Sequence, residues 1–439
     1  MPEINFDGLI GPTHNYSGLS EGNIASMRNF SSPSNPKKAA LQGLEKANIL
    51  FNAGLKQGFF LPHERPFLPG LKELGFNGTN EEVLSSAFKF SPVLLSNFSS
   101  ASSMWAANAA TISPSKDTED RKIHITPANL NTMFHRSIEA HFTYQQCKLI
   151  FNEASFKVHR PAISISGKGD EGAANHLRIS KSHNEKGYEI FVYGDSGFSG
   201  DKSLVKRQAL EVSKSVAYNH KLDTKKTFFL QQNPKAIEKG SFHNDIVSLS
   251  NENIFIAHEK AFQSEDVFKK VVNSLESGID NFQFIEIPES EIPLEDIINS
   301  YLLNSQLFTN EKNEMQLILP EEVKDFSNCM SWLDKLKQIS DVKTFNFVDI
   351  RQSMMNGGGP ACLRLKVILN NEEQNNLNQK FLVNNKKLDS IKLLIEREYR
   401  DVLYPEDLKD PSLLDESRRV LDELTQIFGI GSIYEFQKP

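Results

Sequence analysis

Residues 355–367 read MNGGGPACLRLKV, with Cys362 at the start of an apolar run that follows three glycines and a proline. Glycines let backbone approach a ligand closely. A cysteine at such a junction can present its sulfur to a pocket, where the thiolate is a strong nucleophile. The same residue also fits a small buried hydrophobe, and the segment alone leaves the two readings balanced. A phosphate cradle fits poorly, because the turn lacks the G-x-x-x-x-G-K-[ST] spacing. In SFHNDIVSLS, residues 241–250, His243 and Asp245 stand two apart, which on a strand puts both side chains on one face. A histidine there can shuttle protons and a neighbouring carboxylate can hold a cation. Alone, the segment reads more simply as a polar surface turn, and no further ligands at metal spacing accompany it. In SISGKGDEGAANH, residues 164–176, Gly167, Gly169 and Gly172 match G-x-G-x-x-G. Asp170 and Glu171 would lie in the phosphate loop and repel a pyrophosphate, so this lone match is a weak sign of a dinucleotide. The other reading is a glycine-shaped loop that holds Glu171 toward a cation. Gly194-Asp195-Ser196-Gly197 looks like a serine-protease loop, but no His and Asp segments precede it in the required order, and it reads as a turn.

These residues need a scaffold of alternating helices and strands. Asn35 can cap a helix with Pro36 in its first turn and Gly54 past its end, and Ala40, Leu44, Ala47 and Leu50 recur at helical spacing. Further helices are predicted over 204–218 and 413–428, the latter stopping at Gly429. Strands are predicted at 162–166, at 246–250 and 254–257 as a hairpin around Asn251-Glu252-Asn253, and at 345–350 and 363–369 on either side of the glycine turn. The Asn/Gln-rich stretch 370–379 reads as a surface loop. The class is α/β, and no Pro/Ser-rich linker divides the 439 residues. A single closed assembly over 1–439 is therefore expected, in which a strand–turn–strand–helix unit could recur in degenerate form.

Composition excludes other classes. The 39% hydrophobic content supports a large core. With 56 acids against 49 bases, the net charge is −7, and no basic block favours nucleic acid. Acidity weakly suits a cationic substrate. Three scattered cysteines, Cys147, Cys329 and Cys362, argue against a disulfide framework and for a reducing compartment. MPEINFDG lacks the basic and apolar runs of a signal peptide, and no stretch has the apolar length of a membrane span. A cytoplasmic protein is the expectation.

The polar segments together resemble one family. NFDGLIGPTHNYSGLSEGNIAS at 5–26, LPHERPFLP at 61–69, SSASSMWAANAATISPS at 99–115, ITPANLNTMFHRSIEA at 125–140, GDEGAANH at 169–176, FVYG at 191–194, QQNPKAIEKGSFHND at 231–245, YLLNSQL at 301–307 and MNGGGPACLRL at 355–365 are similar, in this order, to the N-succinylarginine dihydrolases. The likeness spans nearly the whole chain and is weakest at 195–206 and near the C-terminal end. It implies the pentein fold of the guanidino-group-modifying superfamily, a five-bladed α/β propeller of pseudo-fivefold strand–helix modules. It implies conversion of N-succinyl-L-arginine and two waters to N-succinyl-L-ornithine, two ammonia and carbon dioxide in arginine catabolism by the succinyl route, without cofactor or metal. A homodimer is part of the same expectation, with no nucleic-acid or membrane partner.

By motif position, Cys362 resembles the family nucleophile, His243 the general acid/base and Glu171 its carboxylate partner. Substrate contacts are implied for the loop Ser17, Gly18, Leu19, Ser20, Glu21, Gly22, Asn23, Ile24, Ala25 and Ser26, which reads as a mobile lid. They are also implied for Asn108, His135, Arg136, Arg207, Asp245 and Asn356. A guanidinium keeps its charge at any ordinary pH, and carboxylates match its N–H fork, the task expected of Asp245 and Glu171. Arg136 and Arg207 are candidates for the two substrate carboxylates. A deiminase or amidinotransferase on the same scaffold is the near alternative. A silent binding protein and a dinucleotide-dependent oxidoreductase are the distant ones.

Overall fold

The computed structural model describes residues 3–163, 169–195 and 206–438. Among them fifteen strands form five three-stranded sheets. In chain order the strands are β1 (Glu3–Gly8), β2 (Lys56–Phe60), β3 (Ala110–Ser113), β4 (Ile123–Pro127), β5 (Phe156–Val158), β6 (His176–Ile179), β7 (Tyr188–Tyr193), β8 (Thr227–Gln231), β9 (Ser248–Asn251), β10 (Ile254–His258), β11 (Gln283–Ile287), β12 (Gln306–Thr309), β13 (Met315–Pro320), β14 (Val342–Val348) and β15 (Arg364–Ile368). The sheet orders are β15-β1-β2, β3-β4-β5, β6-β7-β8, β9-β10-β11 and β12-β13-β14.

Each sheet repeats one pattern: the first strand pairs antiparallel with the middle one, which pairs parallel with the third. Parallel neighbours need a crossover, and a helix supplies it each time. These helices are Pro36–Asn52, Ala140–Ile150, Leu210–Asn219, Glu265–Gly278 and Ser327–Ile339. The middle strands carry near-continuous buried runs, as strands covered on both faces must. The first strands β6, β9 and β12 are successive neighbours, and β15 lies beside β3.

The helix Pro36–Asn52 shows why such units form. The Asn35 side chain accepts from the Lys38 amide, Pro36 opens the first turn, and Gly54 leaves the end at φ +88°. Ala40, Leu44, Ala47 and Leu50 are buried, with Ile4 and Phe6 of β1 in the same core cluster. Full burial of one such leucine is worth about 1.5–3 kcal/mol. Lys46 reaches Asp7 of β1 at 2.8 Å in the same interior. No helix among the described residues is long and apolar enough to cross a membrane.

Several local expectations change. The helix expected over 204–218 is Leu210–Asn219; 204 and 205 lie outside the described residues, and Gln208 and Ala209 form bridges to Gly169 and Asp195. Of 162–166, residues 164–166 lie outside the described set, and Ala162 and Ile163 carry no strand. The loop expected at 370–379 contains a short helix, Asn371–Asn375, closed by a capping box from Asn370 and Glu373. A helical turn, Arg351–Met355, stands between β14 and the glycines. The hairpin is present as β9 and β10, and the last long helix is Pro411–Phe428, ended by Gly429 in the left-handed region.

Candidate active site

Five loops lead into the first strands of the five sheets, and together they assemble one buried polar site. Asn108 stands two residues before β3, Glu171 before β6, His243 and Asp245 before β9, Asn304 two before β12, and Cys362 two before β15. All except Asp245 are nearly inaccessible, and Asp245 keeps a little surface.

Glu171 is the centre of one half. Its Oε2 accepts from Arg136 Nη1 at 2.6 Å and meets His243 Nε2 at 2.9 Å, and its Oε1 accepts from Thr132 at 3.0 Å. Its backbone is held as well, since Asn108 Nδ2 donates to the carbonyl and the Glu171 amide donates to Gln208 Oε1. Burial alone would raise the Glu171 pKa, but the Arg136 charge, the His243 hydrogen bond and the Arg207 charge outweigh it and hold the carboxyl well below its usual range. An ionised carboxylate can only accept, so His243 carries its proton on Nε2 and keeps a lone pair on Nδ1. That Nδ1 has no protein partner. Burial lowers the His243 pKa to about 4, leaving the imidazole neutral near pH 7.

The other half holds the sulfur. Cys362 Sγ lies 3.2 Å from Asp245 Oδ2 and 3.3 Å from Asn304 Oδ1. Burial, then the Asp245 charge, pushes the thiol pKa well above its ordinary value. Burial raises Asp245 to about 7. The other carboxylate oxygen, Oδ1, has no protein partner. Asn304 ties the pieces together: its Oδ1 accepts from the Gly359 amide at 2.8 Å, and its Nδ2 donates to the Asp245 carbonyl at 3.1 Å. A thiol and carboxyl pair beside an empty acceptor valence suits an arriving cation, which would favour the ionised form of both groups.

The loop 17–26 packs on Asn356, just before the glycine turn, and on Arg207. Its latter part is the short helix Ile24–Arg28, capped by Asn23, whose side chain accepts from the Ser26 amide. Asn23 Nδ2 donates to the Asn356 carbonyl, Ser26 Oγ donates to Asn356 Oδ1, and Asn356 Nδ2 donates to the Asn15 carbonyl. Gly357, at φ +100°, has room for no Cβ because the Asn23 amide lies where it would go. Arg207 Nη2 donates to the exposed Glu21 carbonyl, and the guanidinium lies 4.5 Å from the Phe242 ring centroid. Burial brings the Arg207 pKa down to about 10. Ser17, Gly18, Leu19, Ser20, Ser26, His135 and Asn356 border a small cavity, with about 20 Å³ of room for water. His135 is held near pKa 3 by burial first and by Arg136 next. Gly22 takes φ +81°, and Ile24 and Ala25 sit half-buried at the start of the helical turn.

The site residues expected from sequence are thus brought together, in two clusters and a cover. His243 and Asp245 do not share the face of a strand: residues 244–246 form a 3₁₀ turn, which sends His243 toward Glu171 and Asp245 toward Cys362. Glu171 has both oxygens occupied by protein groups, so its fork does not stand open. Arg136 spends one nitrogen on Glu171 and one on Ser102, and only Nη2 lacks a partner. The dinucleotide motif runs from Gly169 through a 3₁₀ turn into β6, with no helix at its end; Gly167 lies outside the described residues. In the protease-like tetrapeptide, Asp195 bridges to Ala209, and Ser196 and Gly197 lie outside the described residues. Asn304, Thr132 and Gln208 were not singled out from sequence. Asn304 carried a signal in its position, since Asn108 and Cys362 also stand two residues before a first strand.

Residues 1–437 match the succinylarginine dihydrolase family. The chain is 46% identical to the N-succinylarginine dihydrolase of Acinetobacter baumannii over 443 residues, and 47% identical to that of Aliivibrio fischeri over 446 residues, with 99% of both chains covered in each case. Among solved structures, it is similar to the product-bound N-terminal domain of ArgZ, a cyanobacterial arginine dihydrolase of the ornithine-ammonia cycle, with a TM-score of 0.51, 14% identity, and coverage of 84% of this chain and 98% of that domain. Apo ArgZ gives a TM-score of 0.53 at 14% identity over 84% of this chain, which spans 41% of that longer protein. These likenesses concern the fold, whereas the sequence matches settle membership: the chain is an enzyme of the succinylarginine dihydrolase family.

Proposed function

We propose that the protein hydrolyses N-succinyl-L-arginine with two waters to N-succinyl-L-ornithine, two ammonia and carbon dioxide, by covalent catalysis at Cys362. The observation that carries this reading is the pairing of Cys362 at 3.2 Å with Asp245, whose other oxygen has no hydrogen-bond partner, in a site whose other half already holds His243 against Glu171. A planar cation drawn to Asp245 would come to rest in front of the sulfur, the positioning that a poor electrophile requires.

In the first cycle the thiolate adds to the guanidino carbon and the C–N bond to one terminal nitrogen breaks. The thiol proton passes by way of His243 to that nitrogen, which leaves as ammonia. Water, deprotonated by the same imidazole, then displaces the sulfur and yields N-succinylcitrulline. General acid–base help of this kind gives about 10²–10⁴-fold. In the second cycle the sulfur attacks the ureido carbon and expels the second ammonia. Hydrolysis of the thiocarbamate returns the thiol and a carbamate, which loses carbon dioxide.

Arg136 Nη2 and Arg207 Nε, both without protein partners, are assigned to the succinyl and α-carboxylates. The lid, Asn108, His135 and Asn356 shape the remainder of the pocket. The five sheets act as the blades of one α/β propeller, a single catalytic domain of the pentein type. The three free, buried cysteines fit a reducing cytoplasm. A homodimer follows the family expectation.

The test is product stoichiometry. Purified protein should release two ammonia per N-succinylarginine and none from free arginine, and Cys362→Ser should abolish release by at least about 10⁴-fold while melting as the parent does. One ammonia per substrate would mark a deiminase instead. Undiminished activity in Cys362→Ser would overturn the mechanism.

A further inference from the structure

Beside Asp245 lies a second cavity, with about 110 Å³ of room for water, that the scheme above leaves unused. It shares no lining residue with the cavity under the lid. Asp245 and Ala361, which flank the thiol, form part of its wall. Most of the rest comes from four first strands, β3, β6, β9 and β15, and from the residues just before or after them, with Leu303 and Ser305 just before β12. The cavity therefore reaches Asp245, whose Oδ2 lies 3.2 Å from the Cys362 sulfur, and runs between the sheets.

Its walls mix apolar side chains with buried polar ones. Asp245 Oδ1, Ser305 Oγ and Arg364 Nε are buried there without a protein hydrogen-bond partner. Lys366 and Arg178 add two further cationic side chains, each keeping a little accessible surface. Buried polar atoms of this kind take water as their partner, and a cavity lined by them is wet where an apolar one stays dry. At roughly 10–15 Å³ of such room per water, the space holds several waters rather than a single molecule.

The reaction has a matching requirement. Each cycle consumes one water and releases one ammonia, and the ureido intermediate must stay bound between the two. The lid is tied down by Asn23 on Asn356 and by Arg207 on Glu21. Opening it for every water would also free the intermediate. We propose that the central cavity is the conduit by which water reaches, and ammonia leaves, the Cys362 site while the lid stays closed. The inference rests on the dihydrolase reading given above.

Narrowing the conduit away from the sulfur tests it. Ser250 lines the cavity from β9, and Ser250→Leu would fill it, with Ser250→Ala as the size control. Ser305→Val narrows it more mildly from another loop. Folding is checked by melting temperature, and products are resolved by chromatography. The folded, narrowed variants should lose ammonia release and should free at least about five times more N-succinylcitrulline per N-succinylornithine, with KM for N-succinylarginine unchanged. Unchanged rates and an unchanged product ratio in a folded variant would overturn the conduit. Wild-type protein assayed alongside separates the two claims: if it makes no N-succinylornithine, the dihydrolase reading fails, whatever the variants do.

Discussion

The two halves of the site solve the problem of buried charge in opposite ways. Around Glu171 the carboxylate is matched before any substrate arrives: Arg136 compensates it, and His243 is oriented by it. Around Cys362 the compensation is partial. Asp245 touches a thiol and a backbone-tethered amide and feels the Arg364 charge, yet burial still raises its pKa to about 7. The first half has its carboxylate matched in advance, while the second gains most when a cation enters. On the proposed reading, selectivity for a permanent cation would be built into the half that holds Cys362.

Four substitutions probe this contrast. Glu171→Gln should do the most damage. It strands the Arg136 charge in the interior, so urea unfolding should show a loss of about 3–5 kcal/mol, together with about a 10³-fold fall in kcat as His243 loses its anchor. A variant as stable as the parent would mean that Arg136 finds another partner.

Asp245→Asn should split stability from activity. Catalysis should fall about 10²–10³-fold. Because the folded-state pKa of Asp245 lies above the ordinary carboxylate value of 3.8, the folded protein binds the extra proton, and ionisation costs stability as pH rises from about 4 to about 7. Removing the carboxylate should therefore raise the melting temperature by about 2 °C or more at pH 8 and by little at pH 4. An equal or lower melting temperature at pH 8 would erase the contrast between the halves.

Asn304→Ala loosens the thiol, the Gly359 amide and the Asp245 loop together. The expected result is about a tenfold drop in kcat with KM nearly constant. Asn23→Ala, at the lid, should act mainly on binding and raise KM about fivefold with kcat kept within a factor of two. A fall in kcat alone would place Asn23 with the nucleophile's supports rather than with the cover.

Much of this was legible beforehand, for identifiable reasons. Asn35, Pro36 and the 40–44–47–50 spacing encode a helix locally, and the helix is there. The family motifs named the residues that now meet. What local pattern could not reveal was direction. His243 and Asp245 looked like neighbours on a strand face, but a 3₁₀ turn divides them between the two halves. The capping box of Asn370 and Glu373 is a helix start that the polar composition of 370–379 concealed. Asn304 was passed over because its importance lies in contacts with residues 55 and 58 positions away, Gly359 and Cys362, which no window of sequence displays.

The sheet order β15-β1-β2 carries a consequence for biosynthesis. Of the fifteen strands, β1 leaves the ribosome first, yet its antiparallel partner β15 leaves last. Until then one edge of β1 has no strand to pair with, and the loop bearing Cys362 has no fixed place. Such long-range closure is slow to form, so a nascent or truncated chain spends its lifetime with an open edge that invites chaperones. The same delay means that the Cys362 thiol meets the Asp245 carboxylate only once β15 has paired.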